Sequence, residues 1–93
     1  MKMKFLQVFW EDGFSKSLKR VCKKNPQFKD DFRIFFDDFF RDTSNKKYKV
    51  HKLKGKLKGY FSAKIKFDLR LIFTTEKDNL FLIDIGKQDD VYS

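Results

Sequence analysis

The sequence predicts an α+β domain in which two amphipathic helices pack on a mainly antiparallel twisted sheet, and three observations support this fold class. Apolar residues recur at helical spacing in two consecutive segments of the N-terminal half. In the C-terminal half the apolar period shortens to two, the spacing of half-buried strands. The chain of 93 residues, 41% of them hydrophobic, is long enough for one core, so we expect a single domain over residues 1–93.

The N-terminal half is predicted to contain one strand and two helices. Met3–Trp10 is rich in β-forming residues, and Asp12 can cap the helix that follows. Asn25-Pro26 separates the helices, because proline disfavours helix at the residue before it and lacks a backbone donor. The apolar positions of the first helix are Phe14, Leu18, Val21 and Cys22.

Six phenylalanines mark one face of the second helix, before Thr43-Ser44-Asn45 ends it. Such a stripe could bind a partner, but it is more typical of a helix that packs on a sheet, and we predict the latter. Its members are Phe28, Phe32, Phe35, Phe36, Phe39 and Phe40.

Three strands are predicted in the C-terminal half. Phe61–Phe67 and Leu69–Thr74 alternate apolar and polar residues, a turn follows at Lys77-Asp78-Asn79, and Leu80–Ile85 is the last strand. Short connections favour antiparallel hairpins, and such a sheet can cover helices with one face and leave the other open. The open face is expected to carry Tyr60, Ser62, Lys64, Lys66 and Arg70.

The positive charge is concentrated in one segment. The net charge is +9, and residues 46–70 hold ten basic residues against Asp68 alone, whereas the rest of the chain has twelve of each sign. A basic segment beside a neutral remainder predicts a partner rich in phosphate, and RNA fits best. The alternative is an ordinary solvated face.

Several classes of protein and site are disfavoured. No apolar run approaches the roughly 20 residues of a membrane span. Phe5–Trp10 is too short and too polar for a signal peptide, so we expect a cytoplasmic protein without a membrane partner. One cysteine and one histidine cannot build a structural zinc site, and the glycines lack the spacing of a phosphate-binding loop. We expect no metal and no other cofactor.

RNA can be cleaved without a metal when its own 2′-hydroxyl attacks the adjacent phosphate. The reaction needs a proton acceptor, a proton donor for the leaving oxygen and cations for the phosphate charge. Lys64, Lys66 and Arg70 are expected to project from one face, and arginine can bind phosphate through two parallel hydrogen bonds. His51 is a candidate acid or base, or else a surface histidine in a lysine-rich loop.

A set of short motifs resembles the RelE/ParE toxin superfamily of type II toxin–antitoxin systems. The resemblance covers nearly the whole chain and implies a strand–helix–helix–sheet layout. The motifs are His51-Lys52-Leu53-Lys54-Gly55, Gly59-Tyr60-Phe61, Lys64-Ile65-Lys66, Leu69-Arg70-Leu71-Ile72-Phe73 and Asp84-Ile85-Gly86 through Val91-Tyr92.

The resemblance implies site residues for two branches of the superfamily. The RelE-like branch, which cleaves mRNA in the ribosomal A site, implies Lys64, Lys66, Arg70 and Tyr92. The YafQ-like branch implies His51 and Asp68. The second functional histidine of that branch corresponds to Lys64 in this sequence. Where members have His or Arg after the "I-G-x" motif, this chain has Gln88, which cannot act as an acid. RNA contacts are expected from the remaining basic residues Lys52, Lys54, Lys56, Lys58 and Lys87 and from Asp68.

The function implied by the resemblance is a ribosome-dependent mRNA endoribonuclease toxin that a cognate antitoxin neutralises. Its partners would be that antitoxin, mRNA and the ribosome. One alternative is a ParE-like toxin that inhibits DNA gyrase by binding alone. The other, suggested by Gln88, is a catalytically weakened member that still binds RNA or antitoxin.

Overall fold

The computed structural model describes residues 5–42, 46–66 and 68–87. Two α-helices pack on a five-stranded mixed sheet, so the predicted α+β class is confirmed. Four parts of the predictions lie outside the described residues: the segment Thr43-Ser44-Asn45, predicted to end the second helix, and Phe67, Gln88 and Tyr92. The elements are β1 (Gln7–Trp10), α1 (Asp12–Lys24), α2 (Phe28–Arg41), β2 (His51–Lys52), β3 (Phe61–Lys66), β4 (Leu69–Glu76) and β5 (Asn79–Lys87), with short 3₁₀ turns at Lys46–Tyr48 and Gly55–Leu57.

The strand order in the sheet is β1-β5-β4-β3-β2. Strands β2 to β5 form an antiparallel meander, because each short connection returns the chain beside the strand it has just left. Strand β1 pairs in parallel with β5, from Gln7 opposite Asn79 to Trp10 opposite Leu82. The sheet is therefore mainly antiparallel, as predicted, with one parallel edge strand.

The phenylalanine stripe of α2 forms the centre of the core. Phe28 and Phe39 are completely buried, Phe32 and Phe35 nearly so, and Phe36 and Phe40 are half-buried against them. Burial of one such side chain contributes about 1.5–3 kcal/mol. This confirms the prediction that the stripe packs on the sheet.

The boundaries of α1 agree with the prediction at one end and differ at the other. Asn25-Pro26 ends it, and the Asn25 N–H donates to the Val21 oxygen at 2.9 Å. At the start, Glu11 and not Asp12 occupies the N-cap, and it makes no side-chain capping bond. Asp12 lies in the first turn, where its carboxylate interacts favourably with the helix dipole.

Tyr48 joins α2 to the segment that leads into β2. Its ring is buried and packs edge-on against Phe35 and Phe39, with centroids 4.9 and 6.1 Å apart. Its hydroxyl donates a hydrogen bond to the Asp38 carboxylate. Burial, and then the bond to Asp38, raise the pKa of Tyr48 well above its ordinary value, so the hydroxyl stays protonated.

Neither helix in the described part of the chain is long and apolar enough to cross a membrane. Helices α1 and α2 have 13 and 14 residues, and a span needs about 20.

Candidate functional site

One face of the sheet points away from the helices, and we call it the open face. Residues directly opposite one another on neighbouring strands share a face, so the register defines its members. One row runs across β2 to β5 and the next row runs across β3 to β5. The first row is His51, Ser62, Ile72 and Asp84, and the second is Lys64, Arg70 and Gly86.

Lys64 and Arg70 are directly opposite each other on the open face. Such pairs place their Cβ atoms about 4.5–5.5 Å apart, and like charges in that arrangement are destabilising. Both side chains are half-buried, so solvent screens their repulsion less than at a fully exposed position. Gly86, on the other side of Arg70, presents no side chain above the sheet.

The expectation that Lys66 shares this face is wrong. The pairing of β3 with β4 shifts between Lys64 and Lys66, so that Lys66 lies opposite Leu69 and not in the Lys64 row. This β-bulge turns the Lys66 side chain toward the helices. There its ammonium forms an ion pair with Asp31 of α2 at 2.9 Å.

His51 lies on the open face, opposite Ser62 and one row from Lys64. Its ring Nδ1 is 3.2 Å from the carbonyl oxygen of Lys49. A carbonyl only accepts, so this bond requires Nδ1 to carry the proton. In the neutral ring, Nε2 then has a lone pair available to accept another proton. The side chain is exposed, as a proton-transfer group must be to reach a substrate.

A lysine loop, Leu53–Tyr60, connects β2 to β3. Its backbone is held by hydrogen bonds, including Leu53 N–H to Tyr60 O at 3.0 Å, and the Thr74 hydroxyl donates to Gly59 O at 2.9 Å. Gly55 and Gly59 have φ of 70° and 97°, which favour glycine. The loop exposes three lysines about 10 Å along β3 from the cation pair. They are Lys54, Lys56 and Lys58, and Lys52 precedes them, also exposed.

Lys87 and Asp68 lie apart from the open face. Lys87 is opposite Leu69, whose side chain joins the core, so Lys87 is on the helix side of the sheet. Asp68 is exposed in the turn between β3 and β4. Both line a groove of about 330 Å³ at the C-terminal end of α1, together with Arg20 and Lys24.

Three residues of the open face add to or differ from the expectation. Ser62, expected to be open, is completely buried, and Ile72 is 2% exposed. Asp84 was not predicted as a site residue, yet it lies on this face diagonally from Arg70, within reach of a long side chain. Asp84 also accepts a hydrogen bond from the Ile85 N–H at 2.8 Å. A single acidic residue in an apolar strand carries no sequence signal that would have indicated this.

In the part of the chain that the structure describes, no three His, Cys, Asp or Glu side chains are grouped to hold a metal ion. Cys22, predicted to be a core residue, is half-buried and packs against the core. Burial raises the pKa of its thiol, which keeps it in the unreactive protonated form.

The two lysines of β3 can be tested against each other. Because only Lys64 lies beside Arg70, we expect Lys64→Ala to slow the RNA cleavage that the sequence predicts by about 10²–10³-fold, the loss typical of one charge-stabilising group. Lys66→Ala should change the cleavage rate less than about twofold, since Lys66 lies on the helix side of the sheet, where its ammonium pairs with Asp31. Single-turnover rates at saturating protein would measure this. An equal reduction of the cleavage rate in the two variants would contradict the placement of Lys66 on the helix side of the sheet.

The fold can be compared with known structures. YafQ from E. coli strain BL21(DE3) superposes with a TM-score of 0.76 at 22% identity, over 92% of this chain and 97% of that one. A metal-bound toxin from Helicobacter pylori gives 0.71 at 26%, over 98% and 99%. The E. coli DinJ–YafQ complex gives 0.69 at 21%, over 92% and 97%.

The sequence comparisons agree with the fold. A comparison with curated proteins gave no match. Residues 6–93, nearly the whole chain, match the family described as the bacterial toxin of type II toxin–antitoxin system, YafQ. The chain therefore belongs to the YafQ family of type II toxins, within the RelE-like superfamily that its motifs resemble.

Proposed function

We propose that this toxin is a ribosome-dependent mRNA endoribonuclease that cleaves by attack of the RNA 2′-hydroxyl on the adjacent phosphate. The observation that carries the proposal is the Lys64–Arg70 pair on the open face of a YafQ-family fold. A phosphate that binds between two opposed cations can accept hydrogen bonds from both of them.

The cation pair would act on the scissile phosphate. In the transition state the phosphate gains negative charge, and preorganised cations stabilise that charge without having to reorganise. Arg70 would bind two phosphate oxygens through its planar guanidinium. Lys64 offers three donors on a flexible stem and would contact the third oxygen or donate a proton to the leaving 5′-oxygen.

We assign His51 as the base that accepts the proton of the 2′-hydroxyl. The contact of Nδ1 with Lys49 O directs the free nitrogen, Nε2, away from its own backbone. The 2′-oxygen then bonds to phosphorus and displaces the 5′-oxygen, which takes a proton from Lys64, so the products would be a 2′,3′-cyclic phosphate and a 5′-hydroxyl. Proton exchange with water afterwards deprotonates His51 and reprotonates Lys64. No metal ion takes part in this scheme.

The flanking RNA would lie along the lysine loop. Lys54, Lys56 and Lys58 are exposed on the loop that precedes β3, the strand that carries Lys64, which suits contacts with phosphates beside the cleaved one. Tyr92 is proposed to stack on an unpaired base, as an aromatic ring can for any base. Gln88 replaces a His or Arg, so Lys64 is the proposed donor in its place.

A cognate antitoxin is the proposed second partner. The E. coli DinJ–YafQ complex pairs a related toxin with its antitoxin. The basic open face of this chain suits an acidic segment that folds as it binds, because such a segment would neutralise the cations and cover the site together.

Expression without an antitoxin tests the function. We expect translation to stop and mRNA to be cut only when ribosomes are present. In vitro, purified protein is incubated with synthetic mRNA in the presence and in the absence of ribosomes. Mapping of the 5′ ends of the products then locates the cleavage site. Growth arrest with DNA damage and intact mRNA would instead indicate a gyrase inhibitor.

A further inference from the structure

The edge strand β1 exposes apolar side chains that the proposed function does not use. Among the described residues, four large apolar side chains are exposed, and three of them lie on or directly before β1. They are Leu6, Phe9 and Trp10. The strand has no charged residue, whereas charged side chains usually protect the edge strands of natural sheets. This edge is therefore a candidate binding surface.

Phe9 and Trp10 point to opposite faces of the sheet. The Trp10 ring packs edge-on against Phe14 of α1 and Phe32 of α2, with centroids 5.0 and 6.2 Å apart, so it lies on the helix side. Successive side chains of a strand alternate between the two faces. Phe9 therefore lies on the open face, where it is 41% exposed.

On the open face, Phe9 begins a row that crosses three strands. It lies opposite Phe81 of β5, which lies opposite Thr74 of β4. The rings of Phe9 and Phe81 are stacked, with centroids 5.0 Å apart and 15° between their planes. Because β1 is the edge strand, no described strand lies on the other side of Phe9. The stack thus ends in a ring that can take a further planar group.

The same row leads to the lysine loop. The Thr74 hydroxyl donates to the carbonyl oxygen of Gly59, and the exposed Lys58 precedes that residue. Neighbouring strands are about 4.8 Å apart, so Phe9 lies about 10 Å from Thr74 across the sheet. One end of the open face therefore combines a stacked pair of rings with a loop rich in cations.

From this arrangement we infer that Phe9 and Phe81 form a base-stacking subsite. An unpaired base of single-stranded RNA stacks on the Phe9 ring, while a neighbouring phosphate contacts the lysine loop. Every base has a flat π-face, so the subsite tolerates any base. This subsite deepens the proposed function and rests on it only in taking RNA as the polymer that binds the open face.

The charge of the chain favours RNA over a second copy of the protein. An unprotected edge strand can pair with another edge, so a dimer through β1 is the main alternative. Each copy carries a net charge of +9, however, and two copies would repel each other. The same charge attracts RNA, whose bases supply the planar surface that the Phe9 ring can bind.

The test compares variants of two neighbouring residues. Phe9→Ile replaces the ring with an apolar side chain that favours strands, so the fold should be retained, and circular dichroism checks this. Phe9→Tyr keeps a ring that can stack. Trp10→Ile is the control, because it removes a similarly exposed aromatic side chain from the other face of the same strand.

Two RNA probes distinguish stacking from phosphate contacts. The first is a single-stranded oligonucleotide of about ten nucleotides, within the usual range of site sizes. It carries 2′-O-methyl groups, which remove the attacking hydroxyl and prevent cleavage. The second has the same backbone and charge but abasic nucleotides. Fluorescence anisotropy measures the affinity of each protein for both probes.

Loss of one stacked base should weaken binding of the base-bearing probe by about 5- to 150-fold in Phe9→Ile. Binding of the abasic probe should be unchanged in this variant, and so should the salt dependence, because no phosphate contact is lost. Phe9→Tyr and Trp10→Ile should bind both probes as the wild type does.

Three results would overturn the inference. The first is a wild-type protein that binds the two probes equally. The second is a Phe9→Ile variant that weakens both probes equally, which would indicate a structural role for the ring. The third is a Phe9→Ile variant with unchanged RNA affinity that loses self-association or antitoxin binding instead, which would assign the rings to one of those partners.

Cleavage of ribosome-bound mRNA, measured separately, distinguishes this inference from the proposed function. If the wild-type protein stacks bases through Phe9 but cleaves no mRNA, the nuclease proposal fails and the subsite stands. If the wild-type protein cleaves mRNA while Phe9→Ile binds both probes normally, the subsite fails and the nuclease proposal stands.

Discussion

Replacing Arg70 with alanine is expected to slow RNA cleavage about 10²–10³-fold, the loss typical of one preorganised group that stabilises transition-state charge. Arg70 lies opposite Lys64 on the open face, and its guanidinium is the only arginine side chain on that face in the described part of the chain. Lysine at this position keeps the charge but loses the two parallel hydrogen bonds, so the cleavage rate of Arg70→Lys should lie between that of the wild type and that of Arg70→Ala.

Controls distinguish this effect from a general loss of positive charge. Arg41→Ala removes an exposed arginine on α2, whose pair with Asp37 contributes little to stability, and it should cleave as wild type does. Lys58→Ala should weaken RNA binding modestly and lower its salt dependence without changing the rate once RNA is bound. An Arg70→Ala protein that is folded and cleaves at the wild-type rate would place the reaction elsewhere.

Replacing Phe39 with alanine is expected to lower the free energy of unfolding by about 3–5 kcal/mol, the cost of a large cavity in a packed core. Phe39 is completely buried, and its ring lies 5.1 Å from Phe35 and 5.2 Å from Phe73, so it links α2 to the sheet. A domain of this size has a stability of about 5–15 kcal/mol, so the expected loss is a large fraction of the total.

The control for this experiment is on the same helix. Ile34 is 67% exposed, and Ile34→Ala should change stability by less than about 0.5 kcal/mol. Denaturant unfolding, followed by circular dichroism, measures both. A Phe39→Ala variant that loses less than about 1 kcal/mol would show that the phenylalanine stripe is not the main contact between helix and sheet.

Local spacing predicted both helices and the strands that carry Lys64 and Arg70, but not β2, which carries His51. Apolar residues at three- and four-residue intervals predicted both helices, because one face of each must be buried. The proline at position 26 predicted where α1 ends. Alternation predicted β3 and β4 and placed Lys64 and Arg70 on the same face, whereas their direct opposition follows from the strand register.

The prediction from alternation was wrong for Lys66, because β3 is irregular there. The bulge between Lys64 and Lys66 inserts one residue into β3, and a shift of one residue sends a side chain to the opposite face. No residue in the segment Lys64-Ile65-Lys66 indicates a bulge, since glycine and proline are both absent from it. Lys66 therefore pairs with Asp31 of α2, a contact between residues 35 positions apart.

The sequence by itself thus determined the fold class, the burial of the phenylalanine stripe and the basic character of residues 46–70, since each depends on spacing or composition within one segment. Only the tertiary structure decided which cations lie together. The bulge in β3 separates Lys66 from Lys64, and the pairing of Lys87 with Leu69 places it beside α1. The packing of α1 against β5 then joins Lys87 to Arg20 and Lys24 in one groove. These groupings depend on strand register and helix packing, which couple residues distant in the chain and leave no local pattern in it.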